Sequence, residues 1–277
     1  MAPNDAARAD WNGVSGHAWV ADADRRDDVL RPVLDVLLRA ASLAPGEAVL
    51  DVGCGCGASS IAAAGAVGRT GSVVGMDLSE PMLEVARRRA TNAGLDILRF
   101  VTGDAQADPL PAGRDVAISR FGTMFFDAPG DAFANIATAL SAGGRLCIAT
   151  WQPLADNQWL MVPGEALLRY GSLPATDPSA PGMFAQSSAA TITELLRGAG
   201  FRNVDVQPVT VGLRLGAAAT EATGYLAGLG LSRAVLEPLG PSERAAALAA
   251  VTETLADHTG ATGVTLDAAV LVTTASR

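Results

Sequence analysis

The stretch VLDVGCGCGASS, Val49 to Ser60, carries three glycines and two cysteines at the end of an apolar run. A five-residue apolar segment, Ala48 to Val52, reads as a buried strand, and Ala58 to Ala66 as a helix that starts directly after the glycines. A glycine-rich turn between a first strand and its helix lets the backbone approach a ligand at the carboxyl edge of an open sheet. Three ligand classes suit such a turn: a metal, a redox thiol pair, or a nucleotide-type cofactor. C-x-C supplies at most two thiolates, and Cys147 falls inside a separate apolar strand, so no four-cysteine zinc site assembles. A redox pair more usually has C-x-x-C spacing. No metal site is therefore expected, and Cys54 and Cys56 read as small packing residues.

The alternation continues on both sides of this turn. Val29 to Ala44 has helical spacing before the first strand. After it come a strand at Ser72 to Met76, a helix at Glu80 to Asn92, and strands at Ile97 to Val101 and Asp115 to Ser119. A helix at Asp131 to Leu140 then leads to a strand at Arg145 to Thr150 behind the Gly143-Gly144 turn. Strands alternating with helices predict a doubly wound, mostly parallel α/β sheet. Beyond Thr150 the composition turns to Pro, Gly, Ser and Trp, most of all at Gly171 to Ser188, which reads as a loop or capping insertion. A helix at Ala190 to Gly198, a strand at Phe201 to Val211, two helices within 217–257 broken near Glu237-Pro238, and a last strand at Val264 to Thr274 complete the expectation.

Composition bounds the function. The net charge is −9, all 20 basic residues are arginine, and the Arg87-Arg88-Arg89 run is the densest positive cluster, read as a solvated helix face. Such a surface disfavours nucleic acid. The apolar runs are too short for a membrane span. MAPNDAARADWNG lacks the layout of a secretory leader, and three cysteines in 277 residues suit a reducing interior, so a cytoplasmic location is expected.

Carboxylates at successive strand ends narrow the cofactor. Asp77 can accept from two neighbouring ribose hydroxyls, Asp104 from an exocyclic amine, and Asp51 suits a positively charged amino group. Each taken singly also fits an aspartate that caps the next helix or turn. The G-x-G-x-G spacing of Gly53, Gly55 and Gly57 departs from the G-x-G-x-x-G of dinucleotide folds.

Taken together, VLDVGCGCGASS, VVGMDLSEPMLEVA, TGDAQADPLP and SAGGRLCIATW resemble the motif series of the class I S-adenosylmethionine-dependent methyltransferases, over about residues 30 to 150. DVAISRFGTMFF and WQPLADNQW further resemble a bacterial small-molecule group within them, often tied to secondary metabolism. The resemblance implies a Rossmann-like, seven-stranded sheet with an antiparallel last strand. It implies S-adenosyl-L-methionine as cofactor, with Gly53, Cys54, Gly55 and Gly57 along its methionine and ribose portion. Asp77 would hold the ribose, Leu78 and Met82 would flank the adenine, Gly103, Asp104 and Ala105 would meet its amine edge, and Ser119 would offer its backbone to the amino group. The implied reaction is methyl transfer to N or O of a small aromatic or polycyclic metabolite. The alternatives are an NAD(P)-dependent oxidoreductase or a protein that retains the cofactor without methylating.

The acceptor side is read from aromatic and sulfur side chains. Phe121, Met124, Trp151 and Trp159, with the polar groups Arg120 and Asn157, are expected to line an enclosed site. DWNGVSGHAWV invests two tryptophans ahead of the first scaffold helix, which disordered termini rarely do. Residues 1–28 are therefore expected to form a helical lid, anchored on the cofactor by Trp11 and Trp19 with His17 facing the acceptor. Residues 29–277 are expected to form one domain: a cofactor half at 29–150, acceptor-side and capping segments at 151–260, and the last strand at 261–277. No catalytic base is assigned, and the chain is expected to be a monomer or homodimer.

Overall fold

In the computed structural model, which describes residues 4–172 and 180–277, the glycine turn lies between β1 (Ala48–Val52) and α5 (Ala58–Val67). Four helices precede it: α1 (Asp5–Asn12), α2 (Val14–Ala21), α3 (Ala23–Val29) and α4 (Arg31–Ala41). The single helix expected from Val29 is thus divided at Leu30. Pro32 is confined to the first turn of α4 because its ring removes the N–H that an earlier start would need. Ser42, left-handed at φ 48°, ends α4.

After α5 come β2 (Ser72–Asp77), α6 (Glu80–Asn92), β3 (Leu98–Thr102), β4 (Arg114–Arg120), α7 (Pro129–Ala139) and β5 (Leu140–Trp151). The glycine turn expected before the fifth strand is absorbed into β5. Leu140 already pairs with Arg114, and the register shifts between Arg114 and Val116, so the SAGG segment is accommodated as an irregularity rather than a separate turn. The chain continues through α8 (Gln158–Leu167), α9 (Ala189–Gly198), β6 (Arg202–Gly216), α10 (Ala219–Ala227), α11 (Gly230–Leu236), α12 (Pro241–Ala256), β7 (Thr259–Gly260) and β8 (Gly263–Ser276).

The sheet order is β3-β2-β1-β4-β5-β8-β6, with the two-residue β7 hydrogen-bonded to β8. From β3 to β5 all pairs are parallel, and β8 runs antiparallel to β5 from Arg145↔Ser276 to Trp151↔Val270. This is the Rossmann-like architecture expected, including the reversed last strand. β1 leaves β2 on one side and β4 on the other, so the order reverses there, and the carboxyl ends of β1 and β4 flank the crevice where open α/β sheets bind ligands.

Two compact units divide the chain. The first comprises residues 4–151, 181–209 and 270–277; the second comprises 152–172, 180 and 210–269. The first has a core of Leu50, Val52, Ala117, Phe133, Ile136, Leu146, Ile148, Ile192 and Leu196, packing α7 and α9 on one face of the sheet. In the second, α8, α10, α11 and α12 pack on one another, with Leu226, Leu236, Val251 and Leu255 buried. The expectation of two helices within 217–257 gives way to three, because Leu229 is extended between Gly228 and Gly230. α8 falls in a stretch read as irregular, where Pro153, Pro163 and Gly164 obscure its periodicity. The loop expected at 171–188 lies partly, at 173–179, outside the described residues. No described helix is long and apolar enough to cross a membrane.

Candidate functional site

Gly53 and Gly57 both require positive φ, 68° and 87°. A Cβ on Gly53 would stand 2.7 Å from the Cα of Gly122, so the loops after β1 and β4 touch backbone to backbone. Phe121, one residue earlier, is itself left-handed at φ 68°, an uncommon state for a bulky residue. Its ring stacks on Trp151 at 4.1 Å and 11°. Ser119 ties the same two strand ends, its hydroxyl donating to Val52 O at 2.7 Å and accepting from Gly122 N at 3.2 Å.

The strand-end carboxylates are arranged in order. Asp77 at the end of β2 accepts from Gly55 N at 2.8 Å through Oδ2 and from Ser79 N at 2.9 Å through Oδ1, leaving lone pairs on both oxygens for hydroxyl donors. Burial raises its pKa, against the lowering effect of the backbone N–H groups of Ser79, Gly55 and Leu78. Asp104, after β3, is buried. Its Oδ1 accepts from Gln106 N and from the amide of Asn4, while Oδ2 is buried with no hydrogen-bond partner among the described residues. Asp51 on β1 is fully buried, and its Oδ2 takes the hydroxyls of Ser59 and Ser60 at 2.6 and 2.5 Å. Desolvation lifts its pKa to about 6 despite those hydroxyls and the charge of Arg120. Its Oδ1 is likewise unpartnered.

The N-terminal helices fasten onto this edge. Trp11, Trp19 and Val20 pack on Met82, Cys56 and Ala23. Trp11 also meets Phe125 edge-on at 5.2 Å. Asn12 donates to Leu78 O and accepts from Glu80 N, Ser79 donates to Trp11 O, and Asn4, completely buried, exchanges hydrogen bonds with Asp127 while donating to Asp104. Asp27 of α3 lies between two guanidiniums, Arg120 and Arg89, each at 2.9 Å. Arg89 also bonds Cys56 O and Asp24. The arginine run is thus not wholly a solvated face: Arg89 turns inward to the glycine loop.

The structure brings Trp11, Trp19, Asp51, Gly53, Cys54, Gly55, Gly57, Asp77, Leu78, Met82, Gly103, Asp104, Ala105 and Ser119 to α1, α2, α6 and the carboxyl ends of β1 to β4. Phe121, Met124 and Trp151 lie beyond β4 and at the end of β5 in the same unit, where Gln186 closes a buried network with Thr123 and Thr150. Other expected acceptor residues stand elsewhere. His17 is exposed on α2, its Nδ1 2.7 Å from Gly13 O. Asn157 belongs to the second unit and spends its whole amide there. It donates to Gln152 O and Pro153 O and accepts from Trp159 Nε1 and Ala269 N, so no hydrogen-bonding group remains for an acceptor. Arg120, the last residue of β4, donates through Nη2 to Asp27 Oδ1, and its Nη1 is buried with no hydrogen-bond partner among the described residues. Sequence reading missed Asn4, Asn12, Asp27, Arg89 and Gln186, each of which makes a contact 62 to 123 residues away in the chain.

The three thiols are buried. Burial pushes Cys54 well above the usual thiol range, and Cys56 and Cys147 to about 12. These are protonated packing groups at neutral pH, not thiolates. Among the described residues no three His, Cys, Asp or Glu side chains are grouped to hold a metal.

This arrangement has relatives. Residues 49–144 match a family model described as a methyltransferase domain. Nocamycin O-methyltransferase of Saccharothrix syringae is 32% identical over 247 residues, covering 83% of this chain and 85% of the relative. Aklanonic acid methyltransferase DauC of Streptomyces sp. (strain C5) is 37% identical over 106 residues, 38% of this chain and 48% of the relative. The crystal structure of the YcgJ protein from Bacillus subtilis superposes with a TM-score of 0.58 at 16% identity, covering 88% of this chain and 97% of that one, a likeness of fold. The chain belongs to the class I S-adenosylmethionine-dependent methyltransferases. Its methyl donor is S-adenosylmethionine, which sets the nicotinamide alternative aside. The residues present suit that donor: the unpartnered Asp104 Oδ2 matches an exocyclic amine, Asp77 retains acceptor capacity for a diol, and the unpartnered Asp51 Oδ1 matches an ammonium.

Proposed function

We propose that this methyltransferase methylates an oxygen of a small, flat metabolite of the natural-product kind, with residues up to 28 serving as a lid over the cofactor. The observation that carries the acceptor reading is the parallel stack of Phe121 on Trp151 beside the glycine loop, backed by Met124 and the buried Thr123–Gln186–Thr150 network. A strained aromatic held by a second ring offers a rigid apolar wall, which positions a planar acceptor at little entropic cost. The name of the nocamycin relative supports oxygen over nitrogen as the atom methylated.

S-adenosylmethionine, when bound, supplies an electrophilic methyl on a positively charged sulfur. The chain's own part is to hold the ribose and adenine by Asp77 and Asp104, to exclude water through the packing of Trp11 and Trp19 on Met82, and to align the acceptor in line with the methyl. An acceptor oxygen that ionises near neutral pH, a carboxylic acid or acidic phenol, gives up its proton to water and requires no protein base. The test is incubation with methyl-13C-labelled donor and a panel of aromatic acids, phenols and amines, with the product's carbon-13 spectrum assigning the bonded atom. Label on oxygen is the expected result; label only on nitrogen or carbon would overturn the oxygen assignment.

A further inference from the structure

Asn4 stands directly before α1, where an asparagine ordinarily accepts from an N–H of the helix's first turn. Its backbone does start the helix, with Arg8 N donating to Asn4 O at 2.8 Å, but its side chain makes no capping bond and its φ is 59°. The amide is spent elsewhere. Nδ2 donates to Asp104 Oδ1 at 2.8 Å, Oδ1 accepts from Asp127 N at 2.9 Å, and Asn4 N donates to Asp127 Oδ2 at 2.7 Å, with the whole residue buried. A local helix preference given up by a buried polar residue points to a role at a site.

What the amide fixes is the plane of one carboxylate. Asp104 Oδ1 takes two donors, Gln106 N and Asn4 Nδ2, whereas Oδ2 takes none among the described residues. The terminal torsion of an aspartate is broad, so the bond from Gln106 N alone would leave the carboxylate free to swivel. The second bond, from Asn4, settles which oxygen stays open. The surrounding loop is tied down without Asn4: Gln106 Oε1 accepts from Ala128 N at 2.7 Å, Asn135 Nδ2 donates to Ala105 O, and Asp108 Oδ2 accepts from Asp104 N. Removing the Asn4 amide therefore frees the Asp104 side chain and leaves its backbone in place.

We propose that Asn4 is a positioning residue for the cofactor's base: by holding Asp104 Oδ1 it aims Oδ2 at the 6-amino group, and so sets the preference for adenine over a 6-oxo purine. This rests on the reading that places the adenine amine at Asp104, and it assigns the discrimination to a residue of the N-terminal segment 100 positions away in the chain. A 6-oxo purine presents a carbonyl where the amine stood and an N–H at N1. A fixed carboxylate meets that carbonyl oxygen and repels it, whereas a carboxylate that swivels can turn to the N1–H instead. Selectivity for the base, beyond affinity, is what Asn4 supplies.

Calorimetry with S-adenosylhomocysteine and its 6-oxo counterpart, S-inosylhomocysteine, reads the preference directly. The natural protein should favour the adenine ligand by at least about tenfold, because the wrong base leaves a buried acceptor unpaired. In Asn4→Ala that preference should shrink by about fivefold. In Asp104→Ala it should approach unity, and adding Asn4→Ala to that variant should change the affinity for S-adenosylhomocysteine by less than about twofold, since Asn4 acts through Asp104. A preference that Asn4→Ala leaves intact would overturn the proposal, as would an equal loss from Asn4→Ala with and without Asp104, since either result assigns Asn4 to packing alone. Should Asn4→Ala fail to fold, Asp127→Ala, which removes the acceptor of Asn4 N, takes its place: a smaller preference supports the proposal and an unchanged one refutes it. A natural protein that binds both ligands alike would refute the contact of Asp104 with the base, and this proposal with it, while leaving the methyl donor in place. Failure to bind S-adenosylhomocysteine at all would refute the methyltransferase reading as well.

Discussion

The glycine loop and the N-terminal helices meet at the same sheet edge but are specified in different ways. Residues 49–60 make their turn by backbone rules: positive φ at Gly53 and Gly57, a buried strand before, a helix after. Residues 4–30 reach the edge through single side chains, Asn4 to Asp104 and Asp127, Asn12 to Leu78, and Asp27 to Arg89 and Arg120. A backbone device is local and leaves a motif; a side-chain device spans the chain and leaves none. Damage to the first should reach the fold, and damage to the second should stay in binding.

The largest effect should come from Gly53→Ala. It forces a Cβ to 2.7 Å from Gly122 Cα at a φ of 68°, so denaturant unfolding should show a loss of about 2–4 kcal/mol, with cofactor binding abolished. A variant as stable as the natural protein would break the claim that backbone contact shapes this loop. Asp51 comes next. Its folded pKa of about 6 exceeds the reference of 3.8, so below pH 3.8 both states are protonated and its contribution is intact. As pH rises through 6 the folded chain holds a proton that the unfolded chain has lost, and stability falls by about 3 kcal/mol. Asp77 shifts in the same direction, so the decisive quantity is the difference between the natural protein and Asp51→Asn, whose unfolding free energy should lack that fall between pH 4 and 7.

Asp77→Ala should weaken S-adenosylhomocysteine binding by about 1.5–3 kcal/mol, read by calorimetry, since the ribose loses a charged acceptor and Gly55 N loses its partner. Asn4→Ala sharpens the comparison most, though its effect is the smallest. Cofactor affinity should drop by about 1 kcal/mol, with a melting temperature near that of the natural protein, because only contacts between the N-terminal segment and Asp104 and Asp127 are lost. A variant that unfolds instead would make residues 4–30 part of the scaffold.

Legibility in the sequence follows the same division. The helix at Glu80–Asn92 and the strand at Ala48–Val52 have the bounds their apolar spacing predicts, and Ser79 caps the former by accepting from Met82 N. α8 was hidden by an internal Pro163, and the break at Leu229 by two flanking glycines, so there propensity argued against what packing achieves. Asp51, Asp77 and Asp104 could be placed because each ends or follows a strand. Asn157 resembled a site residue but spends its amide on three backbone groups and the Trp159 indole, and only coordinates reveal such saturation. Asn4 offered no signal, since one asparagine near a terminus is indistinguishable from a solvated one until its partners are known.

The bond between Asn4 and Asp127 also has a consequence in time. The two residues are separated by 123 positions, so on a growing chain Asn4 exists long before either carboxylate it will meet. At roughly 5–20 residues per second the wait is about 6–25 s. α1 to α3 must stay undocked through synthesis of the edge they will cover, with Trp11 and Trp19 uncovered throughout. For a newly made chain, that interval is when a chaperone would find the two tryptophans.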